Sequence, residues 1–349
     1  GAPHDPFSLA VSVDQHLRDA YVQQWNLTVQ KKIRLGFLLD AAYVGSKGTR
    51  LPVTIDDLNR PVEVTDPRAP DLLPLNQRRS NPAYSRAVTA DKSIGSSTYH
   101  SFQASAFRTS PSGLELALGY TWSKCLSGPG DTGGMINGGS YIGQPQDIYA
   151  LRLDRALCGF DRSHRLAGSV IYETSAFRRG PQPLKWIFDG WRIAVIPALS
   201  SGTPAPVFYG VDTTGTGVLS RPDRLAGMTG NLAPSEPSRL RGFRAEAFAP
   251  AAFGRFGTSP RTGAVRLPGI RNVDMSFARA FHFQESRRME FRAEVFNVAN
   301  HFNPAPGLLD LNLQVEVLGH VDAARHDKLE HRDLPAQLRI FLKATLIRQ

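Results

Sequence analysis

Cysteines and long apolar runs are both scarce in this 349-residue chain. The only two cysteines, Cys125 and Cys158, stand outside any Cys-x-x-Cys pair, so we expect no structural zinc site. No stretch reaches 18 consecutive apolar residues, which argues against a transmembrane helix. A β-barrel crosses a membrane without such a run, so this absence leaves a barrel open.

Motifs of enzymatic chemistry are missing as well. There is no HExxH pair, no GxSxG elbow and no Cys/His cluster with ligand spacing. His164, His282 and His301 are isolated near predicted strand ends or turns, and the glycine-rich run 128–143 lacks the strand and helix of a nucleotide-binding loop. We therefore predict a chain that is not an enzyme, with no catalytic, cofactor-binding or metal-binding residues.

The charge balance is basic, with 41 Lys and Arg against 31 Asp and Glu. The arginines are scattered through predicted loops, and no nucleic-acid-binding motif or basic helix is present, so we expect no nucleic-acid partner. Solvated loops, or lipid head groups at a membrane surface, explain the charge. The N-terminal residues show no signal peptide, and the chain starts at Gly1 rather than Met. We therefore expect either a removed leader or a piece of a longer chain.

The stretch 271–304 predicts two strands joined by a polar turn at 284–288. Its apolar and polar residues alternate, and a period of two is typical of strands because successive side chains point to opposite sides of a sheet. Each arm has about ten residues, the length that a tilted strand needs to cross a bilayer. The apolar face carries Val273, Met275, Phe277, Phe281, Met289, Phe291, Ala293 and Val295, and the charged residues Glu290, Arg292 and Glu294 share the opposite face, where they could form ion pairs with neighbouring strands.

The same alternation predicts the earlier strands. Pro197 favours a strand end or a bulge within the predicted strand 188–200. A further short strand is expected at 206–211. The turn Ser110-Pro111-Ser112-Gly113 has strong turn chemistry. The predicted strands are 21–31, 37–44, 99–108, 114–124, 164–174 and 188–200, with a further one at 337–347.

Short turns alternate with connections of tens of residues, such as 45–98, 125–162 and 202–272. All short turns would then lie at one end of the sheet and all long loops at the other, which is typical of outer-membrane barrels. A soluble β-sandwich produces the same strand alternation but has no reason for this asymmetry. The sequence therefore predicts an all-β fold, an antiparallel transmembrane β-barrel that is partial. Aromatic residues near the strand ends suit interfacial girdles. These residues are Tyr21, Tyr43, Tyr99, Tyr120, Trp122 and Trp191.

Two local features carry alternatives. Cys125 and Cys158 bound one long loop, so they are either disulfide-bonded or two free thiols, and the sequence does not decide between them. The charged run from Asp154 and Arg155 to Asp161, Arg162 and His164 is interpreted as a hydrogen-bonded junction between loop and strand rather than as a catalytic cluster.

Several segments taken in order resemble the barrel of Oar-like TonB-dependent outer-membrane receptors, over about residues 15–304. Each motif alone is weak, whereas the ordered set is specific. The segments are YVQQWNLTV at 21–29, YVGSKGT at 43–49, YHSFQ at 99–103, YTWSK at 120–124, FDRSHRL at 160–166, GWR at 190–192, SSGTP at 200–204 and FRAEVFNVAN at 291–300.

The resemblance implies a cell outer-membrane location in a Gram-negative envelope and a barrel of about 22 strands around an N-terminal plug. Its partners would be outer-membrane lipid, the TonB system acting through a plug, and an unknown transported ligand whose binding residues the sequence does not show. About ten strands are predicted here, so we expect residues 1–304 to be the C-terminal part of such a barrel. Residues 305–349 diverge from the family, and either a truncated or frame-shifted chain or simple divergence would account for that.

The main hypothesis is therefore the barrel portion of a receptor that transports an unidentified substrate. The first alternative is an outer-surface structural or adhesion protein that uses the barrel only to anchor its loops. The second is a soluble β-sandwich binding module. A plug encoded directly upstream would favour transport over anchoring.

Overall fold

The computed structural model describes residues 10–81, 84, 87–130, 144–174, 181, 183, 188–207, 209–231, 243–283, 287–301, 303 and 337–346. Within these ranges the regular structure is almost entirely β. The strands are β1 (Ala10–Val13), β2 (Tyr21–Lys32), β3 (Phe37–Ile55), β4 (Val88–Thr109), β5 (Leu114–Ser127), β6 (Ala156–Leu157), β7 (His164–Glu173), β8 (Trp191–Ser200), β9 (Pro204–Ala205), β10 (Asp223–Arg224), β11 (Phe248–Ala249), β12 (Val265–Arg266), β13 (Ile270–Phe283), β14 (Arg287–Phe296) and β15 (Gln337–Leu346). No helix among the described residues is long and apolar enough to span a bilayer.

Nine strands form one continuous antiparallel path in the order β15-β14-β13-β8-β7-β5-β4-β3-β2. β1 adds a parallel pairing to β4, and β6 pairs with β5, which makes the sheet 11-stranded. Among the described strands, β2 and β15 do not pair with each other, so the sheet is not closed. The predicted partial antiparallel barrel is confirmed, and the strand expected at 337–347 is observed as β15.

The strand register sorts the side chains onto an apolar and a polar face, because residues directly opposite each other on antiparallel strands share a face. Two apolar rows cross the sheet, one through Leu27, Tyr43, Phe102 and Trp122, and one through Val170, Val195, Met275 and Val295. The intervening positions form polar rows, such as Thr28, Ala42, Gln103, Thr121 and Arg165. Neither row supplies a conventional core, since Leu27 is 67% and Trp122 is 58% exposed.

Aromatic side chains border the apolar face at two levels. Tyr43 and Phe37 lie six residues apart on β3, and six residues of strand rise about 20 Å. This spacing is close to the apolar band of about 25 Å on outer-membrane barrels. Tyr43, Tyr120, Trp122 and Trp191 therefore occupy girdle positions as predicted. Tyr99 does not, because its register partners place it on the polar face. Tyr21 does not either, because it pairs with Thr49, six residues past Tyr43 toward the loop end.

The short turns and the long loops lie at opposite ends of the sheet, as predicted. The Ser110 turn closes through the Gly113 N–H, which donates to the Ser110 carbonyl oxygen at 3.0 Å. The same end holds the β2–β3 turn, because the pairing places Lys32, Leu38 and Phe107 next to one another. We call this the turn end and the opposite one the loop end.

Two strands are much longer than the sequence predicts. β3 has 19 residues and β4 has 22, so much of the connection expected at 45–98 is strand. A bilayer needs about ten residues of strand, which leaves β3 an excess of about nine residues, or about 30 Å along the strand, at the loop end. Two register irregularities mark the extension, and Arg50 has a positive φ of 57° beside them.

Two smaller strand predictions are corrected. The short strand expected at 206–211 is wrong, because the strand there is β9, Pro204–Ala205, and no strand is assigned at the described residues 206, 207 and 209–211. The expected end or bulge at Pro197 is also wrong. Pro197 lies inside β8 opposite Val273, and the register continues unshifted. The β7–β8 pairing stops at Ala198 and resumes at Val195, which fits the N–H that proline lacks.

Candidate functional site

The connections at the loop end fold into one layer with its own hydrophobic core. Phe243 and Phe248 meet edge to face with ring centroids 5.6 Å apart. Two small sheets, β9–β12 and β10–β11, frame them. We call the folded segments 56–81, 144–163 and 201–269, as far as they are described, the loop layer. Its core contains Ala205, Val207, Phe243, Ala247, Phe248, Ala264, Val265 and Leu267.

A disulfide joins the loop layer to the sheet. Cys125 on β5 and Cys158 are bonded, with their Cα atoms 5.4 Å apart. Asp161 reinforces this junction, because its Oδ1 accepts the Cys125 N–H at 2.7 Å and its Oδ2 accepts Arg266 Nη2 at 2.5 Å. One carboxylate therefore links the end of β5 to β12. Of the two alternatives left open by the sequence, the structure has the disulfide.

The charged run before β7 is a structural junction, as interpreted from the sequence. Arg162 Nη1 donates to Ser200 Oγ at 2.7 Å, and the His164 N–H donates to Ser201 Oγ at 3.0 Å. His164 Nδ1 lies 2.8 Å from the Tyr120 hydroxyl. Three of the resemblance segments, YTWSK, FDRSHRL and SSGTP, thus meet in space although they are far apart in sequence.

Asp154 is buried within the loop layer and paired with Arg221, whose Nη2 donates to Asp154 Oδ1 at 2.8 Å. Arg261 Nε also donates to the Asp154 carbonyl oxygen at 3.2 Å. Burial raises the pKa of Asp154, and the charge of Arg221 only partly opposes this. Burial likewise lowers the pKa of Arg221. Desolvation therefore outweighs the attraction of the pair for each other, and breaking the pair would leave a buried charge.

The other residues singled out in the sequence, the isolated histidines and the charged residues of β14, are not brought together into one site among the described residues. His301 lies in the turn after β14, where its carbonyl oxygen accepts Asn297 Nδ2 at 2.9 Å. The side chain of His282 lies outside the described residues. No group of three or more metal-ligating side chains occurs in the part of the chain that the structure describes. Arg292 pairs with Glu290 at 2.8 Å and Glu294 at 3.7 Å on its own strand. The ion pairs with neighbouring strands stay a prediction, since the side chains of β15 lie outside the described residues.

The loop layer holds an open cavity of about 280 Å³ to which three separate connections contribute. Its buried residues include Arg60 and Thr216, its half-buried wall includes Asp147 and Phe256, and its exposed rim includes Tyr149. The full lining is Arg60, Pro61, Val62, Glu63, Gln146, Asp147, Ile148, Tyr149, Thr216 and Phe256.

Arg60 is the fixed cation of this cavity. It is 6% exposed, and its Nη1 donates to the Pro145 carbonyl oxygen at 2.8 Å. Among the described residues this is the only hydrogen bond of its guanidinium. Burial lowers the pKa of Arg60, while surrounding carboxylates, Asp57 first among them, oppose that effect. Sequence reasoning missed this site, because 60–63, 146–149 and 216–256 carry no shared local pattern.

Comparison with protein families gives a match over residues 2–322 to the outer membrane beta barrel domain. The chain belongs to this family. Its apolar face therefore meets lipid, its polar face lines the lumen, and its location is the outer membrane. A soluble β-sandwich, the second alternative, is wrong.

Comparison with solved structures adds the outer membrane transporter YddB from Escherichia coli, at 13% identity and a TM-score of 0.39. The match covers 82% of this chain, and the chain spans 30% of the length of that transporter. Comparison with curated proteins finds no match. The boundary expected at residue 304 stays a prediction, since 304–336 lie outside the described residues.

Proposed function

We propose that this chain is the C-terminal barrel portion of an Oar-like TonB-dependent receptor that captures a ligand in its loop layer and imports it. The observation that carries the proposal is the one-sided construction of the sheet. At the loop end β3 and β4 run far past the apolar band and carry a folded layer with a solvent-open cavity. At the turn end the described β2–β3 and β4–β5 connections are tight.

The unclosed sheet supports a large barrel. The N–H and C=O groups of a free strand edge cannot face lipid, because nothing there satisfies them. Further strands must therefore pair with β2 and β15 in the membrane. A barrel with many more than nine strands has a wide lumen, and the polar face supplies its wall with Gln, Asn, Thr and Ser side chains. A plug domain that fills the lumen is the occupant expected from the resemblance.

The test begins with the complete reading frame, which should encode a plug and a TonB-contacting segment before residue 1. In whole cells producing that full protein, a photo-crosslinking amino acid is placed at Thr28 on the polar face or at Val29 on the apolar face. Thr28 should crosslink to the plug and Val29 should not, since neighbouring residues of a strand face opposite ways. A complete frame without a plug would overturn the proposal.

TonB dependence needs its own readout. A crosslinker in the segment before the plug should capture TonB in energised cells. Failure to capture TonB, in cells where Thr28 still reaches the plug, would leave a plugged barrel without energy coupling.

A surface role without transport is the second candidate. The observation in its favour is that the loop layer has a hydrophobic core of its own and a disulfide at its base. A barrel that only anchors such a layer needs no plug. The complete reading frame therefore separates the two functions.

A further inference from the structure

The cavity in the loop layer has the construction of a ligand site rather than of a packing gap. Its residues come from three connections separated in sequence by long stretches of strand, and its lining includes the exposed Val62 and Tyr149. Its buried part is held by Gln146, whose Nε2 donates to the Gly257 carbonyl oxygen at 3.1 Å and whose Oε1 accepts the Arg221 N–H at 2.8 Å. The position of each wall is thus tied to another loop.

The guanidinium of Arg60 has N–H donors that are not engaged within the described part of the chain. Pro145 holds one nitrogen of the Arg60 guanidinium, and the rest of the planar fork has no hydrogen-bond partner among the described residues. Arg60 as a residue is more than nine-tenths buried, and a guanidinium binds carboxylates through paired N–H groups in strong, charge-assisted hydrogen bonds. Arg60 therefore selects a ligand with a carboxylate.

The two carboxylates in the lining select a positive group. Asp147 Oδ1 accepts the Tyr149 N–H at 2.7 Å, which fixes its direction. Burial raises the pKa of Glu63, and the charge of Asp147 raises it further, so the two negative groups repel each other. With one guanidinium and two carboxylates, the lining carries a single net negative charge. A dianion such as phosphate is disfavoured there, whereas an ammonium between the carboxylates relieves their repulsion.

The rest of the lining is apolar and the space is small. Pro61, Val62, Ile148 and Phe256 offer carbon surface beside the charged groups. A cavity of about 280 Å³ lies at the lower limit of small-molecule pockets, which start at about 300 Å³. We propose that it binds a small zwitterionic amino compound, an amino acid or dipeptide with an apolar side chain, whose carboxylate meets Arg60 and whose ammonium meets Asp147 and Glu63.

As the substrate class of the receptor, this inference rests on the proposed function. Capture itself is a property of the outer loops and requires no TonB. Binding can therefore be measured on the purified full-length protein in detergent, so the two proposals fail separately. Absent binding with an intact plug crosslink would reject only the ligand class. Binding by a protein without a plug would reject only the receptor.

Calorimetric titration with L-leucine and L-leucyl-L-leucine tests the proposal. Both should bind, while N-acetyl-L-leucine lacks the ammonium, L-leucinamide lacks the carboxylate, and each should bind at least about 10-fold more weakly. Arg60→Gln should weaken leucine binding about 10- to 100-fold, the range for a lost hydrogen bond to a charged group. Arg68→Gln is the matched control, because Arg68 lies in the same connection but is exposed and paired with Asp66 at 3.0 Å.

Asp147→Asn keeps the oxygen that accepts the Tyr149 N–H and removes only the charge. It should therefore weaken the binding of leucine, and it should not strengthen the binding of leucinamide. This variant and the analogue series carry the test if Arg60→Gln fails to fold, as judged by its disulfide and its heat-shifted gel mobility. The proposal is overturned if neither zwitterion binds at millimolar concentration. It is equally overturned if inorganic phosphate binds more tightly, or if the acetylated and amidated analogues bind as well as leucine.

Discussion

The disulfide between Cys125 and Cys158 ties the end of β5 to the residue that follows β6, with Cα atoms 5.4 Å apart. The two residues are 33 positions apart in sequence. The loop that they close includes 131–143, which lies outside the described residues. The bond therefore holds the two ends of a long outer connection together at the rim of the barrel.

Loss of this bond should destabilise the protein. Replacing both cysteines with serine removes a crosslink over a loop of about 33 residues, which the chain-entropy model values at about 3–4 kcal/mol. The midpoint of urea unfolding in lipid vesicles should fall accordingly. Native protein isolated from the outer membrane should show no reactive thiol before reduction, and two titratable thiols there would contradict the bond.

Charge on the apolar face should impair membrane insertion. Leu118 lies between the two aromatic levels on β5, so Leu118→Arg should cost about 2–4 kcal/mol near the bilayer midplane. Ala117→Arg is the matched control, because Ala117 is next to Leu118 in sequence but lies on the polar face, which lines the lumen. Folding yield into vesicles should drop for the first variant alone. Equal losses in both would mean that the face assignment is wrong.

Removing Arg221 should expose the cost of the buried carboxylate. Arg221→Met leaves Asp154 buried without its cation, which costs about 3–5 kcal/mol, and adding Asp154→Asn should recover part of the loss. Burial sets the folded pKa of Asp154 above its unfolded value. Its contribution to stability is then fully present below the unfolded pKa and is lost as the pH rises through the folded pKa.

Losing Arg221 raises the pKa of Asp154 in the folded protein further. The loss of stability caused by Arg221→Met should therefore become smaller between pH 8 and pH 4. Urea midpoints across this range measure it. A deficit that stays constant with pH would show that the carboxylate charge is not its cause.

A methyl group at Gly202 should disrupt the junction between β8 and the loop layer. A Cβ there would stand far inside van der Waals contact of the Leu267 carbonyl oxygen, and backbone atoms cannot move aside as a side chain can. Gly202→Ala should lower the folding yield and the protease resistance of the loop layer. Gly119→Ala is the control, since its nearest neighbour would be 3.9 Å away. Similar behaviour of the two variants would refute the close contact.

The strands that the sequence predicted well are those in which a local pattern suffices. The alternation in 114–124 and the turn chemistry of Ser110 to Gly113 are contained in a few neighbouring residues. The extensions of β3 and β4 escaped prediction because Gly48, Pro52 and Gly95 have low strand propensity. Their pairing depends on partners about 40 residues away in sequence.

The cavity was unpredictable for a related reason. Arg60, Asp147 and Thr216 belong to different connections, and nothing within any one of them indicates that the others are near. The segments that resemble the receptor family predicted the architecture of the sheet, but they did not predict the cavity. Asp161 and Arg162 in FDRSHRL hold the loop layer to the rim rather than contact a ligand in the described cavity.

The long hairpin of β3 and β4 decides what can touch this protein from outside an intact cell. It raises Val62 and Tyr149 well clear of the lipid head groups, so an antibody fragment or a phage tail fibre can reach the mouth of the cavity without entering the envelope. The tight turn at Ser110 to Gly113 faces the periplasm and stays hidden from both. A nanobody that recognises the raised layer would therefore label the protein on live cells.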